Sequence, residues 1–125
     1  MPPVGAGTTF FLPKPNQSTA HLWVVLTDPD NESPPHVAIV NLTSSAVDDT
    51  VILTRGDHPF VRHETYIYYE DAKIVPAQKL VEAVNMGISE YREEFQPAVL
   101  ERVQDGLLTS PHVSPKVREY CRDKF

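Results

Sequence analysis

A chain of 125 residues, 41% hydrophobic and 9% aromatic, holds enough apolar material for one core, which argues against wholesale disorder and against a multidomain enzyme. The formal net charge is −6, and before Arg55 the sole basic side chain is Lys14, set against Asp28, Asp30, Glu32, Asp48 and Asp49. The front half therefore offers no basic surface for tight nonspecific nucleic-acid binding, though a local basic site around Arg55, Arg62 and Lys73 remains open.

Cys121 is the only cysteine, so neither an internal disulfide nor a thiolate metal cluster can form. The first residues show no charged segment leading into an apolar one, and no apolar run approaches membrane-spanning length. The expectation is a cytoplasmic protein with no membrane association. Three matches to the glycosylation pattern, at Asn16, Asn31 and Asn41, are read as chance in that setting.

The Pro/Gly-rich residues Met1 to Gly7 read as an arm into a first short strand, Thr8 to Leu12, which Pro13, Pro15 and Asn16 end. His21 to Thr27 is a nearly continuous apolar strand, the pattern of burial on both faces or of a place at the centre of a curled sheet. Asp28 to Pro35 is a loop, and His36 to Thr43 is a second strong strand. Ser44 to Asp49 turns the chain into a further strand over Thr50 to Thr54. Gly56 to Ala72 follows, and no other stretch gathers so many reactive side chains. Gly56 tolerates positive φ and Pro59 restricts His58 before it, so the segment opens as a turn. The aromatic and β-branched run Thr65 to Tyr69 is then a strand, with Ala72 to Val75 a possible further edge. Tyr66 and Tyr68 share one face of that strand while Tyr69 lies opposite, and Trp23 reads as a core anchor.

After Val75 the periodicity changes. Pro76 opens a helix on which Leu80, Val84, Ile88, Tyr91 and Phe95 recur, with Gly87 weakening or breaking it. Pro97 to Leu108 is a second helix, with Val99, Leu100, Val103 and Leu107 on one side. Ser114-Pro115 is a cap and first-turn pair for a third, short helix carrying Val117, Tyr120 and Cys121. Short strands with turn-rich links and no intervening helix exclude βαβ winding. The fold class expected is α+β in one domain, residues 1–125: a small, mostly antiparallel, SH3-like β-barrel or strongly bent sheet over 8–75, and a tail of two or three helices, 76–125, packed on it.

The glycine-led strand Gly7 to Leu12, the buried strand His21 to Thr27, the strand ending Leu42-Thr43-Ser44-Ser45 and the stretch Glu64 to Val75 occur in an order that resembles the PemK/MazF-like toxins of bacterial toxin–antitoxin systems. The resemblance spans roughly the first two thirds of the chain and lies in pattern rather than motif. It implies an SH3-like barrel. It also implies a metal-independent endoribonuclease acting on single-stranded RNA, in which a base activates the ribose 2′-OH and an acid protonates the leaving oxygen. Partners implied are RNA and an antitoxin-like protein or a second copy; no cofactor is implied. The chain departs from the family by carrying Thr19-Ala20-His21 where an arginine is usual before the second strand, and Gly56-Asp57-His58-Pro59-Phe60 is not a family signature.

For such chemistry the candidate catalytic residues are His58, His63, Arg62 and Asp57. Histidine titrates near neutrality, arginine stabilises a crowded phosphate, and an aspartate can orient an imidazole. Arg55, Thr43, Ser44 and Tyr68 are the candidate substrate-binding residues, through charge, hydroxyl hydrogen bonds and base stacking. The plainer account makes Asp57 and Gly56 a turn, His58 merely the residue before Pro59, and Arg62 the partner of Glu64 or Glu70. A metal site of His58, His63, Asp57 and His36 is the weaker alternative, since the spacing matches no zinc motif. No nucleophile elbow or phosphate loop occurs. His21 and His36, at strand starts, are expected to be structural or within reach of the site. The competing function is a non-enzymatic protein-interaction module.

Overall fold

The structure, a computed structural model, describes residues 4–13 and 20–125. Six antiparallel strands form one sheet curled into a half-barrel, accompanied by three helices, the α+β class expected from the pattern. The strands are β1 (Thr9–Pro13), β2 (Ala20–Val25), β3 (His36–Thr43), β4 (Ile52–Leu53), β5 (Thr65–Pro76) and β6 (Glu90–Arg92), in spatial order β4-β5-β3-β2-β1-β6. The helices are α1 (Ala77–Asn85), α2 (Pro97–Thr109) and α3 (Pro115–Cys121). Among the described residues, no helix is long and apolar enough to cross a membrane.

The continuous apolar character of β2 and β3 follows from burial on both faces. Leu22, Val24, Leu26, Ala38, Val40 and Leu42 point to a main core, where Val99, Val103 and Leu107 of α2 and Val117 and Cys121 of α3 meet them. Trp23, Val25, Val37 and Ile39 point the other way, into a smaller core with Phe10 and Leu80 of α1. Each fully buried aliphatic side chain contributes roughly 1.5–3 kcal/mol, so these two layers outweigh any surface ion pair in holding the sheet. Ser114 caps α3 by accepting from the Val117 N–H, as its sequence position implies. Burial pushes the Cys121 thiol up to about 11, consistent with an inert packing residue.

Two elements differ from the sequence expectation. Thr65 to Tyr69 and Ala72 to Val75 are one 12-residue strand with an irregularity inside it. From Ile39 to Asn41 β3 advances two residues, while the paired positions on β5 run from Lys73 back to Tyr68, five residues. That odd excess flips the alternation: Thr65, Ile67 and Tyr69 are buried before it, Ala72 after it. The helix expected to reach Phe95 ends instead at Asn85, and Gly87 turns the chain at φ 76°. Tyr91 then pairs with Phe10 in β6, so the tail portion itself supplies the sixth strand. The end of the first strand at Pro15 and Asn16 lies outside the described residues.

Tyr69 is fully buried and donates its hydroxyl to the Val103 carbonyl (2.7 Å), locking β5 to α2. Gly106 makes that approach possible. A Cβ there would stand 2.5 Å from Val51 Cγ2 and closer still to the Tyr69 hydroxyl. Gly106→Ala gains up to about 1 kcal/mol of helix propensity but loses more to overpacking and to the displaced hydrogen bond. A net destabilisation of about 1–3 kcal/mol is expected in urea unfolding, and an unchanged or raised midpoint would contradict this packing.

Asp48, also buried, accepts from the Ser110 hydroxyl (2.7 Å) and the Thr50 N–H (2.9 Å), tying the loop before β4 to the end of α2. Burial alone pushes its carboxyl up, but the hydrogen bonds from Thr50 and Ser110, with His112 nearby, more than offset this and hold it below the ordinary value. A carboxyl lowered by folding adds stability above its unfolded pKa of about 3.9, and that stability is lost as the pH falls through the lower folded value. Ser110→Ala should cost about 1–3 kcal/mol at neutral pH and flatten the acid limb of the stability curve. Parallel curves for the two proteins would remove Asp48 from the acid response.

Candidate functional site

The turn between β4 and β5 is built by its own polar side chains. Asp57 Oδ2 accepts the Thr54 N–H (2.8 Å), closing the turn that Gly56 allows at φ 105°. Asp57 Oδ1 takes Arg102 of α2 (3.2 Å), whose other nitrogen donates to the Ile52 carbonyl (3.1 Å). One oxygen of Asp57 thus closes the turn and the other fastens it to the helix, and among the described residues neither meets an imidazole.

His58 is buried, with 3% of its surface exposed, and both ring nitrogens are engaged. The Phe60 N–H points at Nδ1 (3.0 Å), so Nδ1 accepts, and Nε2–H donates to the Glu93 carbonyl (2.6 Å). The ring is therefore the neutral Nε2–H tautomer, packed 5.3 Å from the Phe95 ring. The Glu93 carbonyl also accepts from Thr9 Oγ1 (2.6 Å). One backbone oxygen so joins the turn, β1 and the end of β6. His58 sits beneath the turn, buried and with both ring nitrogens bonded.

What the turn presents outward is Arg55, Pro59, Phe60, Arg62 and His63, all exposed. Three adjoining hollows surround them. One, of about 360 Å³, is lined by His21, Thr43, Ser44, Phe60, Arg62 and His63 among others. A second, of about 430 Å³, has Phe11, Phe60, Arg62, Arg92 and Glu93 on its walls. The third, about 720 Å³ and shallow, runs past Arg55, Pro59 and Arg62. Arg62 borders all three. Among the described residues, neither Arg62 nor Arg55 enters an ion pair, so the expected pairing of Arg62 with Glu64 or Glu70 does not form.

Of the residues singled out in the sequence, Arg62, His63, Thr43 and Ser44 come together in the first hollow, and Arg55 stands beside it. His21 joins them from the start of β2, its Nδ1 facing the Leu42 carbonyl at 3.2 Å. His63 Nδ1 donates to the Glu64 carbonyl (2.9 Å), so that in the neutral ring Nε2 is the nitrogen with the lone pair. Tyr68 is not on the walls of these hollows; it pairs with Asn41, two positions along β3 from Thr43, with its hydroxyl 3.2 Å from Glu70 Oε2. His36 is also remote, and its Nδ1–H donates to the Pro34 carbonyl (2.7 Å). Among the described residues, no three His, Cys, Asp or Glu side chains stand together closely enough to hold a metal ion.

Arg92 and Phe11 escaped sequence reasoning. Arg92 follows Tyr91, whose spacing reads as helical, and only the pairing of β6 with β1 brings it to Phe11, where the guanidinium carbon lies 4.4 Å from the ring centroid. Scans against known families, characterised proteins and solved structures find no match for this chain.

The two bonds of His58 can be separated by substitution. Asparagine can still accept from the Phe60 N–H, in the manner of an Asx-turn, but cannot reach Glu93; alanine loses both bonds and leaves a cavity. His58→Ala should cost about 2–4 kcal/mol and His58→Asn about half of that, read as urea midpoints. Full stability in His58→Ala would show that the histidine does not fasten the turn.

Proposed function

We propose that the face around Arg62 binds single-stranded RNA, and that the hollow of Arg62, His63, His21, Thr43 and Ser44 is the place where it is cut without a metal. The observation that carries this reading is Arg62 itself: a guanidinium with no acidic partner among the described residues, bordering three hollows, in a chain of net charge −6. An acidic protein that leaves an arginine unpaired amid histidines and hydroxyls offers a local anion seat, where charge-assisted hydrogen bonds to phosphate are strong.

In this scheme Arg62 and the hydroxyls of Thr43 and Ser44 hold the scissile phosphate. His63 Nε2 takes the proton of the ribose 2′-OH, the 2′ oxygen attacks phosphorus, and the bond to the 5′ oxygen breaks. His21, in its protonated form, returns a proton to that oxygen. The products are a 2′,3′-cyclic phosphate and a 5′-hydroxyl, with protons and electron pairs balanced and no oxidant or metal required. His58 and Asp57 act by holding the turn that carries Arg62 and His63. The PemK/MazF-like resemblance supports the same substrate and a cytoplasmic antitoxin-like partner.

The second reading is a non-enzymatic interaction module that binds an acidic partner on this face. It is favoured by the structural engagement of both His58 and Asp57, which leaves binding groups in greater supply than catalytic ones.

Incubation with mixed single-stranded RNA, with and without EDTA, separates these readings. Cleavage should survive EDTA, fall about 10²-fold or more in His63→Ala, and fall similarly in Arg62→Ala. Loss of cleavage in EDTA would replace the metal-free scheme with a metal-dependent one. Binding without cleavage by folded protein would favour the interaction module, and no binding at all would remove RNA from the account.

A further inference from the structure

The second hollow, bounded by Arg62, Phe60, Phe11 and Arg92, has a different chemistry from the first. His58, the histidine on its walls among the described residues, has both ring nitrogens committed to the Phe60 N–H and the Glu93 carbonyl, so that imidazole is not available to take a proton from a ribose. What it offers is two guanidiniums and an aromatic wall. Phe11 and Phe60 meet edge to face, 5.1 Å between centroids at 66°. Arg92 lies over the Phe11 ring at 4.4 Å, an arrangement that orients the guanidinium while leaving its N–H edge available. Phe60 keeps 39% of its surface exposed, unusual for a large apolar side chain that a core could have absorbed.

Among the described residues, the acidic contact of Arg92 is Glu90 at 3.7 Å, with both side chains exposed. Such a pair is worth little and is readily exchanged for a phosphate. Among the described residues, Glu93 is the one acid on the walls of the hollow, against two arginines. The two hollows share Arg62 and Phe60, so a chain seated in one passes directly into the other.

We propose that the Arg92–Phe11–Phe60 hollow is a second nucleotide subsite, which holds the phosphate next to the scissile one between Arg92 and Arg62 and stacks its base on Phe60. This rests on the RNA reading of the first hollow and extends it. The subsite binds and does not cut. Stacking and charge are indifferent to base identity, so the subsite adds affinity with chain length rather than sequence preference.

The test uses fluorescence anisotropy with 2′-deoxy oligonucleotides, which lack the nucleophile and are not cut: a dinucleotide with one internal phosphate and a tetranucleotide with three. Wild type is compared with Arg92→Gln, which keeps the aliphatic stem on Phe11 but loses the charge, and with Phe60→Ala. For wild type the tetranucleotide should bind at least tenfold more tightly than the dinucleotide. Arg92→Gln should erase most of that difference and reduce the slope of log K against log salt by about 0.7, the loss of one phosphate contact to a single strand. Phe60→Ala should weaken the tetranucleotide about tenfold whatever its base sequence. An unchanged salt slope and length dependence in Arg92→Gln, with wild-type binding intact, would overturn the subsite while leaving the RNA reading in place. Failure of wild type to bind either oligonucleotide would overturn the RNA reading, and the subsite with it.

Discussion

The arrangement of the candidate face depends on one buried histidine ring. His58 accepts from the Phe60 N–H on one nitrogen and donates to the Glu93 carbonyl on the other, so a turn, a strand end and the first strand share one fastening. Neither bond alone is large, at roughly 1 kcal/mol net, but an unsatisfied polar group at this depth costs more than a made bond contributes. The ring therefore has one tautomer and one orientation. Phe60 and Arg62 project from a support that is tied on both sides, since Asp57 and Arg102 fasten the other end of the turn to α2.

A fixed support matters because the groups it carries are otherwise mobile and solvated. Arginine side chains carry about 2 kcal/mol of rotamer entropy, and exposed ion pairs seldom recover it. On this face Arg92 is oriented by Phe11, and Arg62 emerges between hollows walled by the turn itself and by residues of strands β1, β2, β3, β5 and β6. Part of the acidic excess of the chain lies away from this face, in the loop at Asp28, Asp30 and Glu32, while the three helices carry as many basic as acidic side chains. A protein with net negative charge can thus hold a small positive region without the broad basic surface that nonspecific nucleic-acid binding requires. The charge distribution favours a short, local contact over a long groove.

Sequence reasoning was reliable where a signal is local. His36 to Thr43 is a strand with the very bounds expected, because its β-branched run needs only burial on both faces. The helix at Pro97 and the Ser114-Pro115 start carry their own punctuation and lie where the pattern put them. The opposed faces of Tyr66 and Tyr69 follow from the two-residue repeat alone. Local signals failed where a long-range pairing overrode them. Tyr91 sits at helical spacing from Ile88 and Phe95, yet β1 recruits it, because Gly87 has already reversed the chain and an unpaired edge beside Thr9–Phe11 is satisfied by three more residues. The same recruitment placed Arg92 on the site, where no spacing rule could reveal it.

The sequence by itself determined the class of fold, the apolar character of both faces of the central strands, the segment richest in reactive side chains, and the exclusion of an internal disulfide and of a thiolate metal cluster. These depend on composition, periodicity and turn residues, all of which act between near neighbours. The tertiary structure alone decided which of those groups face outward. It took His58 and Asp57 into the scaffold, joined Arg62 and His63 to His21, Thr43 and Ser44 from other strands, and added Arg92 and Phe11. Histidine and aspartate can serve either as reagents or as hydrogen-bonding fasteners. The choice between those roles rests on burial and on partners tens of residues away, which a one-dimensional pattern does not contain.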